Sequence, residues 1–150
     1  MKIAIACDHA GFEKKEALKT YLENELHHQV EDFGTFSSES ADYPDFAHPM
    51  ANTVEQGKAD FGISLCGSGN GINMTTNKHQ GIRAALCWNV EISALARQHN
   101  DANICSLPAR FISLDEAKEI ITTFLSTSFV GGRHERRIRK IPVERLQNCQ

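Results

Sequence analysis

The sequence lacks the features that mark several common classes of protein. Its cysteines include no C-x-x-C pair and are odd in number, so neither a zinc site nor a disulfide framework is predicted; they stand at positions 7, 66, 87, 105 and 149. No apolar run approaches the roughly 20 residues that a membrane-spanning helix needs. The net charge of −3 argues against a nucleic-acid-binding protein. We therefore expect no metal, no membrane and no nucleic acid among its partners.

Missing features also predict the cellular compartment of the protein. The amino-terminal apolar stretch is too short, and the residues after it too acidic, for a signal peptide. Cysteines without a pairing pattern are typical of a reducing environment, so a cytoplasmic protein is expected.

The pattern that is present is an alternation of strands and helices along one domain, residues 1–150. The predicted strands are 3–7, 29–34, 61–66, 82–87 and 103–108. Such alternation predicts an α/β fold, a Rossmann-like three-layer sandwich with a five-stranded parallel sheet and helices on both faces. After Gly131 and Gly132, a basic carboxyl-terminal helix is predicted over 133–148.

The most informative stretch is FGISLCGSGNG, residues 61–71, in which a predicted strand ends in Cys66 and alternating glycines follow. Alternating glycines let consecutive backbone N–H groups point at one spot, which favours an anion and also a thiolate. A free cysteine is more often a small buried apolar residue, and Cys7, Cys87 and Cys105 fit that interpretation. Cys66 differs because the loop follows it directly, and we predict that it is functional.

Other candidates come from the rule that ligands bind beyond the carboxyl ends of parallel strands. Asp8 and His9 follow the first strand, and Arg110 follows the fifth. Asp8 and His9 are also readable as a helix N-cap and its neighbour. His99 continues the apolar stripe of the fourth helix, so a core histidine and a functional histidine remain equally open there.

The run GGRHERRIRK makes the carboxyl-terminal region locally basic in an acidic protein. Arg133 and Arg137 are four residues apart, so they lie on one helix face and can both bond one phosphate. A solvated basic face is the ordinary alternative. The cluster favours a small phosphorylated ligand.

Three chemistries compete for a thiolate beside an anion-binding loop. A cysteine phosphatase needs an arginine six residues after the cysteine, and that position is Ile72. A cysteine protease or acyl transferase needs a histidine beside the thiol, and no peptide groove is indicated. Proton abstraction next to a carbonyl fits best, with Cys66 as base and loop N–H groups stabilising the enediolate. This is the chemistry of aldose–ketose isomerisation of a sugar phosphate.

The chain resembles the family that contains the type B ribose 5-phosphate isomerases and the galactose 6-phosphate isomerase subunits. The matching segments cover most of its length: IAIACDHAGF (3–12), DFGTFSSESADYPDFA (32–47), ISLCGSGNGINMTTNK (63–78), GIRAALC (81–87), ARQHNDANI (96–104) and GGRHERR (131–137).

The resemblance implies a role for each matching residue. Cys66 would move the proton between C2 and C1, His99 would open the furanose ring, and Ser68 would supply a catalytic hydroxyl where many members have threonine. The implied substrate-binding residues are Asp8, His9, Tyr43, Gly67, Ser68, Gly69, Asn70, Gly71, Asn100, Arg110, Arg133, His134 and Arg137.

The resemblance also implies the assembly and the substrate class. It implies a homodimer or homotetramer whose active sites are shared between subunits, with the carboxyl-terminal helix packing on a partner, and no metal or organic cofactor. The substrate would be a small phosphorylated sugar, ribose 5-phosphate. A six-carbon substrate, galactose or allose 6-phosphate, and a non-catalytic sugar-phosphate sensor stay open as alternatives.

Overall fold

The structure, a computed structural model, describes residues 1–143. Strands and helices alternate along the chain, with one 3-10 turn at His9–Gly11 after the first strand. The elements are β1 (Lys2–Cys7), α1 (Phe12–Asn24), β2 (Gln29–Asp32), α2 (Tyr43–Glu55), β3 (Phe61–Cys66), α3 (Asn70–Thr76), β4 (Ala84–Leu86), α4 (Val90–Asn100), β5 (Ile104–Pro108), α5 (Leu114–Ser126) and α6 (Arg133–Ile138).

The five strands form one parallel sheet in the order β2-β1-β3-β5-β4. This confirms the predicted α/β architecture with helices on both faces. Within residues 1–143, no helix has the length and apolar character required to cross a membrane.

Each face of the sheet has its own core because side chains alternate along a strand. In β1, Ile3 and Ile5 face the cluster formed with α1, α4 and α5, whereas Ala4 and Ala6 face α2. The α2 side uses small residues so that the helix lies close to the sheet. A Cβ at Gly62 would be 2.7 Å from the sulfur of Met50.

The order of the strands creates a crevice at the carboxyl edge of the sheet. The chain leaves β1 toward α1 on one face and leaves β3 toward α3 on the other. Such a reversal between neighbouring strands is the place where parallel α/β proteins bind ligands. The ends of β1 and β3, with Asp8 and Cys66, flank this crevice.

Two expectations about local structure are wrong. The predicted helix over 133–148 ends at Ile138, and its positions 144–148 lie outside the described residues. Pro142 opposes its continuation, because proline has no N–H to donate to Ile138 O and disfavours helical backbone at Ile141. The fourth strand is shorter than predicted and only half-buried, because β4 lies at the edge of the sheet.

Candidate active site

Cys66 ends β3 in the centre of the carboxyl edge, and its side chain is 4% exposed. Its carbonyl oxygen accepts a hydrogen bond from Ala109 N–H at 2.9 Å, which fixes the strand end against the segment after β5. The side chain packs with Ala47 and Ile72. Cys66 is therefore held rigidly at the position where a ligand in the crevice would meet it.

The glycine loop begins at the next residue. Gly69 has φ of +77°, and a Cβ there would be 2.5 Å from Leu86 Cδ1, so both backbone conformation and space require glycine. The N–H groups of Gly67, Ser68 and Gly69 make no hydrogen bond within residues 1–143. The N–H of Asn70 donates to Ser68 Oγ at 3.3 Å. Unpaired backbone donors beside a thiol suit an anionic oxygen.

Asp8 and His9 lie across the crevice, after β1. The Asp8 carboxylate accepts hydrogen bonds from the N–H groups of Ala10 at 2.9 Å and Gly11 at 3.2 Å, so the N-cap interpretation is confirmed. Asp8 N–H donates to Leu65 O at 3.2 Å, which couples the turn to β3. The same residue can cap the turn and present its other carboxylate oxygen to a ligand.

His9 is oriented by the loop that follows β2. Its Nδ1 lies 3.1 Å from Ala41 N and 3.3 Å from Ala41 O, so the backbone of Ala41 fixes the orientation of the ring. A cleft of about 460 Å³ opens here, lined by Asp8, His9 and residues 40–45. It has the size of a site for a small molecule.

Tyr43, the first residue of α2, closes the side of the site next to Cys66. A Cβ at Gly71 would lie 2.4 Å from Tyr43 Cζ, so the phenol ring lies directly against the start of α3. The ring also packs on the cluster that contains Cys66.

Arg110 approaches the loop from β5. Its backbone N–H donates to Gly67 O at 3.0 Å, and its Nη1 lies 3.2 Å from the position of a Cβ on Gly67. The guanidinium group therefore lies above the first glycine of the loop. With Arg110, the structure brings one predicted set of residues together at the carboxyl edge.

A second set of predicted residues lies around the end of α4 and α6. The rings of His99 and His134 are stacked at 4.3 Å with an interplanar angle of 8°. Partial desolvation lowers the pKa of His134, and His99, Arg133 and Arg137 lower it further. Arg133 and Arg137 are exposed, and neither guanidinium group has a hydrogen bond or ion pair within the described chain. This set presents cations and imidazoles to an anion.

The two sets occupy opposite edges of the sheet. Arg83, just before β4, donates from Nε to Asn100 O at 2.9 Å, so the end of α4 lies at the amino ends of the strands. Cys66 instead pairs with Pro108 at the carboxyl end of β5. The five residues of β5 separate these levels by roughly 13 Å at a rise of ~3.3 Å per residue. His99 and Asn100 are thus not beside Cys66 in a single chain.

His99 is not a core residue. It is half-buried, and its ring stacks on the ring of His134. In the single chain α6 lies against its own α4, where Val130 N–H also donates to Gln98 O at 3.1 Å. Packing of α6 on a partner subunit stays a prediction.

The other described cysteines are buried, as predicted. Cys7, Cys87 and Cys105 have no exposed surface. Burial raises the pKa of the Cys7 thiol to about 12, partly opposed by the nearby Lys15. A hydrogen bond with Cys87, together with burial, raises the pKa of Cys105. Among residues 1–143, no three His, Cys, Asp or Glu side chains are grouped as a metal site requires.

Sequence reasoning missed a buried ion pair beside the site, Lys15 with Asp32. The Lys15 ammonium group lies 2.7 Å from both carboxylate oxygens of Asp32. One signal was available, because Lys15 precedes Leu18 by three residues and so falls on the apolar stripe of α1.

Comparison with known proteins gives one family. The model of the Ribose/Galactose Isomerase family matches residues 3–141. Ribose-5-phosphate isomerase B of Escherichia coli K12 is 41% identical over 148 residues, 98% of this chain and 99% of that protein. A probable ribose-5-phosphate isomerase B of Mycoplasma pneumoniae is 42% identical, covering 93% of this chain and 91% of that protein.

Solved structures agree with this result. A ribose 5-phosphate isomerase of Thermotoga maritima superposes with a TM-score of 0.92 at 55% identity, covering 94% of this chain and 97% of that one. Ribose-5-phosphate isomerase B of Mycoplasma genitalium, solved with bound ribulose-5-phosphate, has a TM-score of 0.91 at 39% identity and covers 99% of this chain and 97% of that one.

Proposed function

The chain belongs to the ribose/galactose isomerase family, and from that premise we propose that it interconverts ribose 5-phosphate and ribulose 5-phosphate. It is an aldose–ketose isomerase that acts on a sugar phosphate, and residues 1–150 act as one domain in a reducing cytoplasm. The observation that carries the proposal is the position of the Cys66 thiol, between a strand end and a loop with unpaired N–H groups.

The reaction needs a base, an oxyanion site and no redox partner. In the open-chain aldose, the Cys66 thiolate takes the proton from C2, and the electrons of that C–H bond move toward the C1 carbonyl oxygen. The resulting enediolate oxygen is stabilised by the loop N–H groups. The thiol returns its proton to C1 while the O2 proton moves to O1, which gives the ketose. Ser68, in the glycine loop, and His9, which follows β1, are assigned to hold the hydroxyl groups.

The furanose ring must open before C2 can lose a proton, and this step is assigned to His99. The step removes a proton from the anomeric hydroxyl and delivers one to the ring oxygen. An imidazole can accept a proton at one nitrogen and donate one from the other, as that exchange requires. Because His99 lies at the opposite edge of its own chain from Cys66, it acts in the site of a second copy. Homodimers or homotetramers with shared sites account for both sets of residues.

Phosphate binding is assigned to the basic residues of the second set. Arg133 and Arg137 stand one turn apart on α6, with His134 beside them. Guanidinium groups bond phosphate oxygens through two parallel hydrogen bonds, and within residues 1–143 neither guanidinium group is paired with a carboxylate. Arg110 supplies a further cation above the glycine loop.

The test is to measure isomerisation of ribose 5-phosphate, allose 6-phosphate and galactose 6-phosphate side by side with one enzyme preparation. Fastest turnover of ribose 5-phosphate is expected. Preference for a six-carbon substrate would instead indicate a galactose or allose 6-phosphate isomerase of the same family. Tight binding of all three sugar phosphates without turnover would indicate a non-catalytic sensor.

A further inference from the structure

Lys15 is among the largest fully buried side chains of the described structure, and it carries a charge that the proposed reaction does not use. Its ammonium group bonds both oxygens of Asp32 at 2.7 Å and Glu16 Oε1 at 2.9 Å. It also lies over the ring of Phe36 at 5.2 Å from the centroid. Desolvation lowers the pKa of Lys15, but the bonds to Asp32 and Glu16 outweigh it and the net pKa is raised. The residue therefore stays protonated.

The carboxylate held by Lys15 in turn holds the backbone that enters the cleft. Asp32 Oδ1 accepts the Gly34 N–H at 2.9 Å. Gly34 O accepts the Cys7 N–H at 2.7 Å, and Thr35 N–H donates to Cys7 O at 2.8 Å. The segment after β2 is thus fixed to the last residue of β1, immediately before Asp8.

Residues 34–43, which we name the cleft segment, continue from this anchor to the candidate site. Ala41 N–H orients His9 through Nδ1. Tyr43, at the end of the segment, lies against Gly71. A shift at Gly34 therefore reaches Asp8, His9 and Tyr43 together, and each was assigned to substrate binding.

Stability alone does not call for an ion pair at this position. Replacing a buried pair with well-packed apolar residues of similar volume is often neutral or stabilising. An apolar side chain at position 32, however, offers no acceptor to the Gly34 N–H. What this pair provides, and an apolar pair does not, is a fixed position for the start of the cleft segment.

We propose that Lys15 and Asp32 are positioning residues, which set the geometry of the substrate-binding wall through Gly34. The inference rests on the proposed function for its kinetic readout. Without Lys15, the nearest remaining cation is Lys19, 3.6 Å from Asp32 Oδ2 and one-third exposed. The carboxylate then turns toward Lys19 and away from Gly34.

The experiment tests separately the charge of Lys15 and the side-chain oxygen at position 32 that accepts the Gly34 N–H. Lys15→Met should raise KM for ribose 5-phosphate roughly tenfold or more, with a smaller change in kcat, because misplaced binding groups lose affinity steeply. In Lys15→Met/Asp32→Asn the amide oxygen still accepts the Gly34 N–H and no fully buried charge is left unpaired, so KM should return to within about twofold of the parent. Lys15→Met/Asp32→Leu has no acceptor, and its KM should stay raised.

The control is Leu22→Ala, a fully buried position farther along α1. It should lower the melting temperature and leave KM unchanged. An equal rise in KM for Leu22→Ala would mean that lost stability alone explains the effect. Equal, parent-like KM values for the two double variants would overturn the positioning role. The comparison of these two variants tests that role even when Lys15→Met alone fails to fold.

Hydrogen exchange of the cleft segment gives a readout that does not depend on activity. Measured by mass spectrometry, peptides within 34–43 should exchange faster in the Asp32→Leu double variant than in the Asp32→Asn double variant. The same exchange in both would contradict the proposal. If the parent enzyme does not isomerise ribose 5-phosphate, the proposed function fails, while this comparison still decides the role of the pair.

Discussion

The contact between Gly71 and Tyr43 gives a prediction whose size follows from the structure. Gly71→Ala places a methyl group 2.4 Å from Tyr43 Cζ and 2.6 Å from the hydroxyl oxygen. Ordinary contact begins at 3.4 Å, so the phenol ring must move by about 1 Å. Displacement of a binding group by that amount costs roughly 10²-fold in catalysis. We expect kcat/KM for ribose 5-phosphate to fall about 10²-fold, equivalent to about 2.7 kcal/mol in transition-state binding.

The folding stability of the same variant should change far less. Overpacking costs about 1–3 kcal/mol, but alanine in place of glycine stabilises a helix by about 1 kcal/mol, and Gly71 lies within α3. The expected loss in the free energy of unfolding is therefore about 0–2 kcal/mol, measured by urea denaturation. A large kinetic effect with a small stability effect is the signature of a displaced side chain in the site.

Two further variants test the cause. Gly57→Ala lies in open space with φ of +69°, so strain should destabilise the fold by about 1–2 kcal/mol without changing kcat/KM. In a Tyr43→Ala background the Gly71→Ala change has no ring to displace and should cost no further activity. Parent-like kcat/KM in Gly71→Ala, or another hundredfold loss in the double variant, would refute the reasoning.

Three predictions concern the second set of residues. Arg133→Ala and Arg137→Ala each remove charge-assisted hydrogen bonds worth about 1.5–3 kcal/mol, so calorimetry should show inorganic phosphate binding weakened roughly tenfold. Arg139→Ala, a charge paired with Glu135, is the control, and unchanged binding in both test variants would contradict the phosphate assignment. Subunits carrying Cys66→Ala and Arg137→Ala, each impaired alone, should form hybrids that are more active than either variant by itself; no gain after verified exchange would exclude shared sites. His99→Asn should lose most turnover of ribose 5-phosphate but keep most of the parent turnover of erythrose 4-phosphate, which cannot close a furanose ring, and equal loss on both would contradict its role.

Much of the fold was predictable because its signals are local. Apolar runs predicted the five strands, and helical spacing predicted the helices between them. The alternation of strands and helices predicted the parallel sheet. The glycines after Cys66 predicted a loop that only glycine can form, and Gly69 has the positive φ this requires. The end of α6 was missed because the basic residues continue past Ile138 without a break in their spacing, whereas the described backbone leaves the helix there.

The arrangement of the candidate site was harder to predict. The apolar stripe of α4 indicated which face His99 occupies, but the residues themselves did not show that the histidine would stack on His134. The edge at which each candidate lies follows from its place in a βα unit, since the end of α4 returns to the amino ends of the strands. Which candidates are neighbours at an edge depends on strand order, and the sequence does not contain that order in any local signal. The Lys15–Asp32 pair joins residues 17 positions apart, and a lysine within an apolar stripe shows only that a partner is required.

The most direct measurement of the central claim is turnover of ribose 5-phosphate by Cys66→Ala, with phosphate affinity measured on the same preparation. Cys66 is 4% exposed and small, so alanine removes the thiol with little change in packing. The account predicts a fall in kcat of roughly 10²–10⁴-fold or more with phosphate affinity unchanged, as expected for a lost acid–base group. Near-normal kcat in this variant would contradict the assignment of Cys66 as the isomerisation base.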